Sequence, residues 1–233
     1  MHRIAFSPER GERGVDASGR QPPVDIDPRR AAHVVVDLQH GFVAPGAPVE
    51  VPEAREIIHN VNRISAAMRA AGGTNVFLRM NLSTPATDRW RDYVDRLGAR
   101  GDRAAIVAAF SPGAVDFALW DHLEVTDADL VVDKTRFSAF VPGASKIHEE
   151  LAARGVDTLV VTGTLTNVCC ESTARDAMQM DYRVRFVADA TAALSDETHN
   201  ATLANIDAHF GRVVWTADVV AALAPGATET RSA

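Results

Sequence analysis

Short runs of apolar, mostly β-branched residues alternate along this chain with segments of helical length. The runs are apolar almost without a break, as in HVVVDL (33–38) and TLVVTG (158–163), so both faces of each resulting strand must be covered. Strands of this kind belong to parallel sheets, and right-handed crossovers then build a doubly wound, three-layer α/β/α domain. We therefore predict an α/β fold of Rossmann-like topology with about six mostly parallel strands. The strands are predicted at 33–38, 75–80, 129–134, 158–163, 183–190 and 212–215.

The chain is predicted to form one domain with loop-like ends. Residues 1–30 contain Arg, Gly and Asp with a Pro22-Pro23 pair, which predicts an extended arm packed on the body or on a neighbouring molecule. No low-complexity linker divides residues 31–224, which we assign to a single domain, and residues 225–233 form a tail. The long stretch 81–126 is predicted to be a partly helical excursion over one end of the sheet.

Composition excludes several classes of protein. The chain has 233 residues, of which 46% are hydrophobic, enough for a sizeable core, so whole-chain disorder is excluded. Its two cysteines, Cys169 and Cys170, are adjacent, so they cannot frame a secreted disulfide scaffold, and we predict a cytoplasmic protein. A net charge of -7 argues against a nucleic-acid partner, and the apolar runs are too short to span a membrane.

Three polar residues follow strands of the predicted sheet. Asp37 closes the first strand, Lys134 closes the third, and Cys169 comes just after the fourth. Ligands of an open parallel sheet bind beyond the carboxyl ends of its strands, and a carboxylate, an ammonium and a thiol there suit nucleophilic catalysis. Each also has a structural interpretation, as a turn residue, a surface lysine and a small buried side chain respectively.

The segment after the fourth strand predicts a reactive thiol. Gly163 frees the backbone where the strand ends, and a Thr/Asn-rich turn leads directly into a helix. Cys169 would then lie in the first helical turn, where free N–H groups and a nearby Lys134 lower a thiol pKa. Because consecutive helical residues point about 100° apart, only one of Cys169 and Cys170 faces the site.

Three sequence motifs occur in order: DLQHGF (37–42), KTRFSAF (134–140) and TGTLTNVCCESTARDA (162–177). In all three the chain resembles the isochorismatase-like cysteine hydrolase superfamily, from about His33 to Leu223. The third motif departs from the family pattern at Cys170, where relatives carry Val. The sequence of this motif is most similar to those of the ureidoacrylate and N-carbamoyl amidohydrolase branch.

The resemblance implies a role for each residue of the site. Cys169 would be the nucleophile, Asp37 the general base and Lys134 the cation that supports both. A cis peptide bond between Thr164 and Leu165 would turn the Leu165 N–H toward the site, where it forms an oxyanion hole with the N–H of Cys169. The expected reaction is hydrolysis of a C–N bond in a small amide, ureido or carbamoyl compound through a thioester.

Five further residues are predicted to contact the substrate: Phe42, Gln39, Trp90, Phe137 and Thr164. We predict no cofactor and no metal, because LRMNLSTPATDRW (78–90) lacks the histidines of the nicotinamidase metal site. The eight histidines, His199 on the penultimate helix among them, show no ligand spacing. The resemblance also implies a homodimer or homotetramer. The alternatives are a vinyl-ether hydrolase and a non-catalytic relative that binds a metabolite or carrier.

Overall fold

The computed structural model describes residues 1–5, 23–83, 90–98 and 102–225. A six-stranded, all-parallel sheet lies at its centre, with strand order β3-β2-β1-β4-β5-β6. The strands are β1 (Ala31–Val36), β2 (Thr74–Met80), β3 (Leu130–Lys134), β4 (Thr158–Thr164), β5 (Arg183–Ala192) and β6 (Arg212–Val214). The predicted three-layer α/β fold is therefore confirmed.

Helices connect and flank these strands. They are α1 (His40–Val43), α2 (Ala54–Ala70), α3 (Arg91–Gly98), α4 (Arg103–Ala109), α5 (Ile147–Ala153), α6 (Glu171–Gln179), α7 (Asp196–Asn205) and α8 (Thr216–Ala222). Two π-helical turns, Thr166–Cys170 and Ile206–Phe210, precede α6 and follow α7. Within the described ranges, no helix has both the length and the apolar composition needed to cross a membrane.

The continuous apolar runs form the strands because both faces of the central sheet are covered. Every residue of β1 and of β4 is buried. Helix α2 is apolar on one face only. Its residues Ile57, Val61, Ile64 and Met68 recur at helical spacing along the buried face. Burial of both sheet faces thus accounts for the parallel architecture.

The first strand lies two residues earlier than predicted, at Ala31–Val36 and not at 33–38. It ends at Val36, because Asp37 has a φ of 51° and leaves the extended conformation. The Asp37 N–H donates to the Leu78 carbonyl at 3.1 Å, which anchors this change of direction on β2. Aspartate tolerates the left-handed region better than most residues, so the turn presents its side chain at the sheet edge.

Both described parts of the predicted N-terminal arm contact the domain. Val24 and Ile26 are buried in the hydrophobic core, and Arg185 donates to the Asp25 carbonyl at 3.3 Å. Residues 1–5 lie against α7. Residues 6–22 of the arm and 226–233 of the tail lie outside the described ranges, as do residues 84–89 and 99–101 of the predicted excursion.

Gly163 allows β1 and β4 to approach closely beside Asp37. Its φ is 111°, and a Cβ added there would lie 2.1 Å from the Val36 carbonyl oxygen. We expect Gly163→Ala to lower the free energy of unfolding by about 3 kcal/mol or more, from backbone strain and a clash with a buried strand. Gly155→Ala is the matched control, with a positive φ of 66° but open space around the new Cβ, and should cost about 1–2 kcal/mol. Equal losses for the two variants, measured by urea unfolding, would contradict this account.

Candidate active site

The carboxyl ends of β1, β3 and β4 bring Asp37, Lys134 and Cys169 together. Lys134 Nζ donates to Asp37 Oδ2 at 2.7 Å and to the Arg136 carbonyl at 3.1 Å. Both charged side chains are 0% exposed. Cys169 lies beside the pair, since its hydrogen bonding and charge act on the pKa of Lys134 and its hydrogen bonding on that of Asp37. Three residues that are far apart in sequence therefore meet at one buried point.

The ion pair leaves a base with a vacant oxygen. Asp37 Oδ1 is buried and has no hydrogen-bond partner among the described residues. Burial raises the pKa of the Asp37 carboxyl, and the charge and hydrogen bond of Lys134 offset only part of that rise. A carboxylate with a raised pKa is a stronger base than one in water, so Asp37 is suited to accept a proton at Oδ1.

Lys134 keeps its charge at this depth because of its neighbours. Burial alone would lower the pKa of its ammonium, but the charge and hydrogen bond of Asp37, together with its interactions with Cys169, raise the pKa by more. A protonated Lys134 between a carboxylate and a sulfur stabilises negative charge on either one. The site can therefore move a proton from sulfur to carboxylate without a change in its net charge.

Cys169 lies in residues 164–170, which comprise the end of β4, Leu165 and the first π-helical turn. We call this segment the nucleophile turn after the role that the sequence predicts for Cys169. The Thr164–Leu165 peptide bond is cis, and the Leu165 carbonyl accepts from the N–H groups of Val168 and Cys170, each at 3.1 Å. In the described part of the chain, no turn or cap hydrogen bond is donated by the N–H groups of Leu165 or Cys169. These two backbone donors of the described chain are thus left without a turn or cap acceptor.

The pKa of the Cys169 thiol differs from the expectation based on its position before a helix. Burial raises this pKa, the charge of Lys134 lowers it in part, and the charge of Asp37 raises it further. Desolvation of the sulfur outweighs the helix terminus and the cation, because the whole site is closed off from water. The resting thiol is therefore protonated and needs a base to become a nucleophile.

The second cysteine occupies a different environment. Cys170 is 0% exposed, and its Sγ lies 3.8 Å from the Thr162 carbonyl oxygen, back along β4. Burial raises the pKa of its thiol well above the usual range. Cys170 thus packs under the turn as a small apolar side chain.

Two of the residues predicted to contact substrate are bonded to the backbone. Gln39 Oε1 accepts from the Met80 N–H at 2.7 Å, and its Nε2 donates to the carbonyls of Met80 and Phe117. The Thr164 hydroxyl donates to the Ala192 carbonyl at 3.2 Å. Both side chains are 0% exposed, and these hydrogen bonds tie neighbouring chain segments together. Contact with the substrate stays a prediction for Gln39 and Thr164.

The three predicted aromatic residues form two groups. Phe42 is nearly buried against Phe110, with ring centroids 4.8 Å apart. Trp90 and Phe137 are half-buried and pack edge to face at 4.7 Å. Tyr93 of α3 stacks on Trp90 at 4.1 Å, which extends the second group onto the excursion.

The sequence analysis did not select Arg136 or His199. The Arg136 guanidinium lies 5.0 Å from the centre of the Trp90 ring, and the Arg136 carbonyl accepts from Lys134. The position of Arg136, a second cation two residues after Lys134, could have indicated this residue in the sequence. His199 Nδ1 lies 3.0 Å from Thr166 Oγ1 in the nucleophile turn, and no local pattern announces that contact. No group of three or more metal-ligating side chains is assembled within the described ranges.

The all-parallel 3-2-1-4-5-6 sheet and the Asp-Lys-Cys site are those expected of an isochorismatase-like cysteine hydrolase. Residues 31–218 match the family model of the isochorismatase domain. The chain belongs to the isochorismatase family. It is 34% identical to the ureidoacrylate amidohydrolase RutB of Methylobacterium radiotolerans, over 89% of this chain and 84% of the relative. It is 32% identical to RutB of Caulobacter vibrioides, over 89% and 98%. Among solved structures, a cysteine hydrolase from Pseudomonas syringae pv. phaseolicola 1448A superposes with a TM-score of 0.77 at 30% identity, over 87% and 97% of the two chains.

Proposed function

We propose that this chain is a cysteine hydrolase that cleaves a C–N bond in a small amide, ureido or carbamoyl compound, without a metal or other cofactor. The observation that carries this proposal is the buried Lys134–Asp37 pair with a vacant Asp37 Oδ1 next to the Cys169 thiol. The similarity to ureidoacrylate amidohydrolases and to a cysteine hydrolase supports the same class of reaction.

The first half-reaction forms the covalent intermediate. Asp37 takes the thiol proton, and the Cys169 sulfur attacks the carbonyl carbon of the substrate. The N–H groups of Leu165 and Cys169 stabilise the oxyanion that forms. The C–N bond then breaks as Asp37 returns its proton to the leaving nitrogen, so the acyl or carbamoyl group remains on Sγ.

The second half-reaction restores the enzyme. Asp37 removes a proton from a water molecule, and the resulting hydroxide attacks the carbonyl carbon bound to sulfur. The C–S bond breaks, the acid or carbamic acid leaves, and the sulfur regains the proton that Asp37 holds. Lys134 remains protonated throughout and stabilises whichever partner carries the negative charge.

The side chains around the pair favour a small, partly planar substrate. Trp90 and Phe137 offer ring faces and edges to an unsaturated or amide-containing group. Arg136 brings a second cation to the strand end that carries Lys134, and its guanidinium lies 5.0 Å from the centre of the Trp90 ring. We place a substrate carboxylate, such as that of a ureido acid, on the Arg136 side of the site.

A substrate panel tests this function. Ureido acids, N-carbamoyl amino acids and primary amides, each paired with a neutral ester or amide analogue, are incubated with the enzyme and assayed for ammonia. We expect turnover of at least one ureido or carbamoyl acid, and a higher KM for its uncharged partner. EDTA-treated enzyme should retain full activity.

Three results would contradict the proposal. Turnover only of a vinyl ether would identify the alternative reaction, and it would persist without the thiol. A co-purifying ligand with no hydrolysis across the panel would indicate a metabolite-binding protein. Loss of activity in EDTA with recovery on adding metal would show that the reaction needs a metal.

Compartment and assembly belong to the same proposal. We propose a homodimer or homotetramer acting in a reducing cytoplasm, since a nucleophilic thiol must remain unoxidised. Light scattering of the purified chain gives the number of subunits, and a monomeric mass would contradict the assembly.

A further inference from the structure

The first five residues form an extended segment that lies against α7 and the end of β5. His2 and Ile4 face the body, whereas Met1, Arg3 and Ala5 are exposed. The Ala5 N–H donates to Asn200 Oδ1 at 2.8 Å, and Asn200 Nδ2 donates to the Arg3 carbonyl at 3.0 Å. This reciprocal pairing fixes the segment in a register that places His2 behind the nucleophile turn.

The His2 ring is more specifically bound than core packing requires. Its side chain is 4% exposed, and the Ala193 N–H donates to its Nε2 at 2.9 Å. That bond assigns the ring proton to Nδ1, which donates to Asp196 Oδ1 at 2.9 Å. An aliphatic side chain would cover the same surface without either bond.

One set of contacts leads from His2 to the start of the π-helical turn. The His2 ring stacks on the His199 ring with centroids 4.4 Å apart. His199 Nδ1 lies 3.0 Å from Thr166 Oγ1, and burial lowers the pKa of His199 to about 4, so this ring is neutral. His199 is 0% exposed, and a hydrogen bond with the Ala188 backbone of β5 raises its pKa in part. Helix α7 therefore buries a polar ring that contacts the Thr166 hydroxyl of the nucleophile turn.

A second set of contacts leads to the end of β4. Ala193, which donates to His2, directly follows Ala192, and Ala192 pairs with Thr164 in the register of the sheet. The Thr164 hydroxyl donates to the Ala192 carbonyl at 3.2 Å. Thr164 and Thr166 flank Leu165, so the two sets of contacts reach both sides of the proposed oxyanion donor.

We infer that His2 is a positioning residue for the nucleophile turn, because it holds Thr164 and Thr166 in place through two separate sets of contacts. Its ring contacts Ala193, Asp196 and His199, and it acts on the site through these residues. Its effect is on the geometry of the Leu165 N–H and of Cys169, on which attack and oxyanion binding depend. This inference rests on the proposed function for its kinetic readout, but the reactivity of the sulfur can be measured without a substrate.

The test compares four variants: His2→Ala, His2→Gln, His2→Phe and, as the control in the same segment, Arg3→Ala. The Arg3 side chain is 90% exposed. We expect His2→Ala to lower kcat about tenfold, with KM changed less than twofold, because small misplacement of reacting groups is costly. Glutamine restores an acceptor for Ala193 and phenylalanine restores the stacked ring, so each should recover part of the loss. Arg3→Ala should match the wild type.

The second readout is alkylation of Cys169 by iodoacetamide, measured in a Cys170→Ala background so that one thiol remains. Loosening the turn exposes the sulfur, and we expect His2→Ala to raise the rate about threefold or more. If the proposed hydrolysis fails, this rate still decides the inference. Unchanged kcat and alkylation in folded His2→Ala would overturn it, as would equal effects from Arg3→Ala. Should His2→Ala not fold, wild-type behaviour of both His2→Gln and His2→Phe would overturn it.

Discussion

Replacing Cys169 with serine is expected to lower kcat by about 10⁴-fold or more, to the level of the uncatalysed background. A serine hydroxyl is a far weaker acid than a thiol, so Asp37 is too weak a base to remove its proton. The fold should be retained, since the two side chains are similar in size. Ammonia release from the best panel substrate measures the effect, and circular dichroism checks the fold.

Cys170→Ala is the matched control for the adjacent position. Its Sγ packs against the Thr162 carbonyl, so its removal should cost about 1 kcal/mol of stability and change kcat less than twofold. Mass spectrometry should find the iodoacetamide label on Cys169. Substrate added before iodoacetamide should protect Cys169 from this alkylation. Activity that survives Cys169→Ser but not Cys170→Ala would show that Cys170 is the nucleophile and would contradict our account.

Lys134→Met is expected to remove activity and to destabilise the protein by about 3–5 kcal/mol at pH 7, because it leaves the Asp37 carboxylate buried without its partner. This loss of stability depends on pH, and the direction of the dependence can be worked out. Burial raises the folded-state pKa of Asp37, and without Lys134 that rise is no longer offset. The variant therefore loses stability as the pH rises above the unfolded-state value, and its deficit relative to the wild type shrinks toward pH 5.

The double variant Asp37→Asn/Lys134→Met separates stability from catalysis. It removes both charges, so it should recover most of the lost free energy of unfolding while remaining inactive. Urea unfolding of the wild type, the single variant and the double variant at pH 7 and pH 5 measures this. A Lys134→Met protein as stable as the wild type at pH 7 would show that Asp37 is not charged in the folded state.

The sheet and the meeting of Asp37, Lys134 and Cys169 could be predicted because each depends on a local pattern. Continuous apolar runs follow from burial on both faces, and the carboxyl ends of such strands share one edge, so Asp37 and Lys134 are brought together by topology. The position of Cys169 after β4 follows from the same rule. The end of β1 was misplaced because the backbone of Asp37 turns in the left-handed region, which no apolar pattern records.

Other features depend on neighbours that lie far along the chain. Whether Gln39 and Thr164 point into the site or bond to the backbone is decided by Met80, Phe117 and Ala192, on other elements. The pKa of the Cys169 thiol depends on how deeply the sulfur is buried, which outweighs the helix terminus. His2 meets His199 across almost the entire length of the chain, so sequence spacing carries no trace of that contact.

The protonated state of the resting Cys169 sulfur bears on how long such an enzyme lasts. Peroxides attack thiolates and react slowly with thiols, so a sulfur that becomes anionic only when Asp37 takes its proton is shielded from oxidant between turnovers. Reactive cysteines with a lowered pKa remain ionised and are therefore open to oxidation at all times. Here the dry, closed environment of the ion pair couples ionisation of the sulfur to the reaction itself, so we expect peroxide to inactivate the enzyme slowly in the absence of substrate.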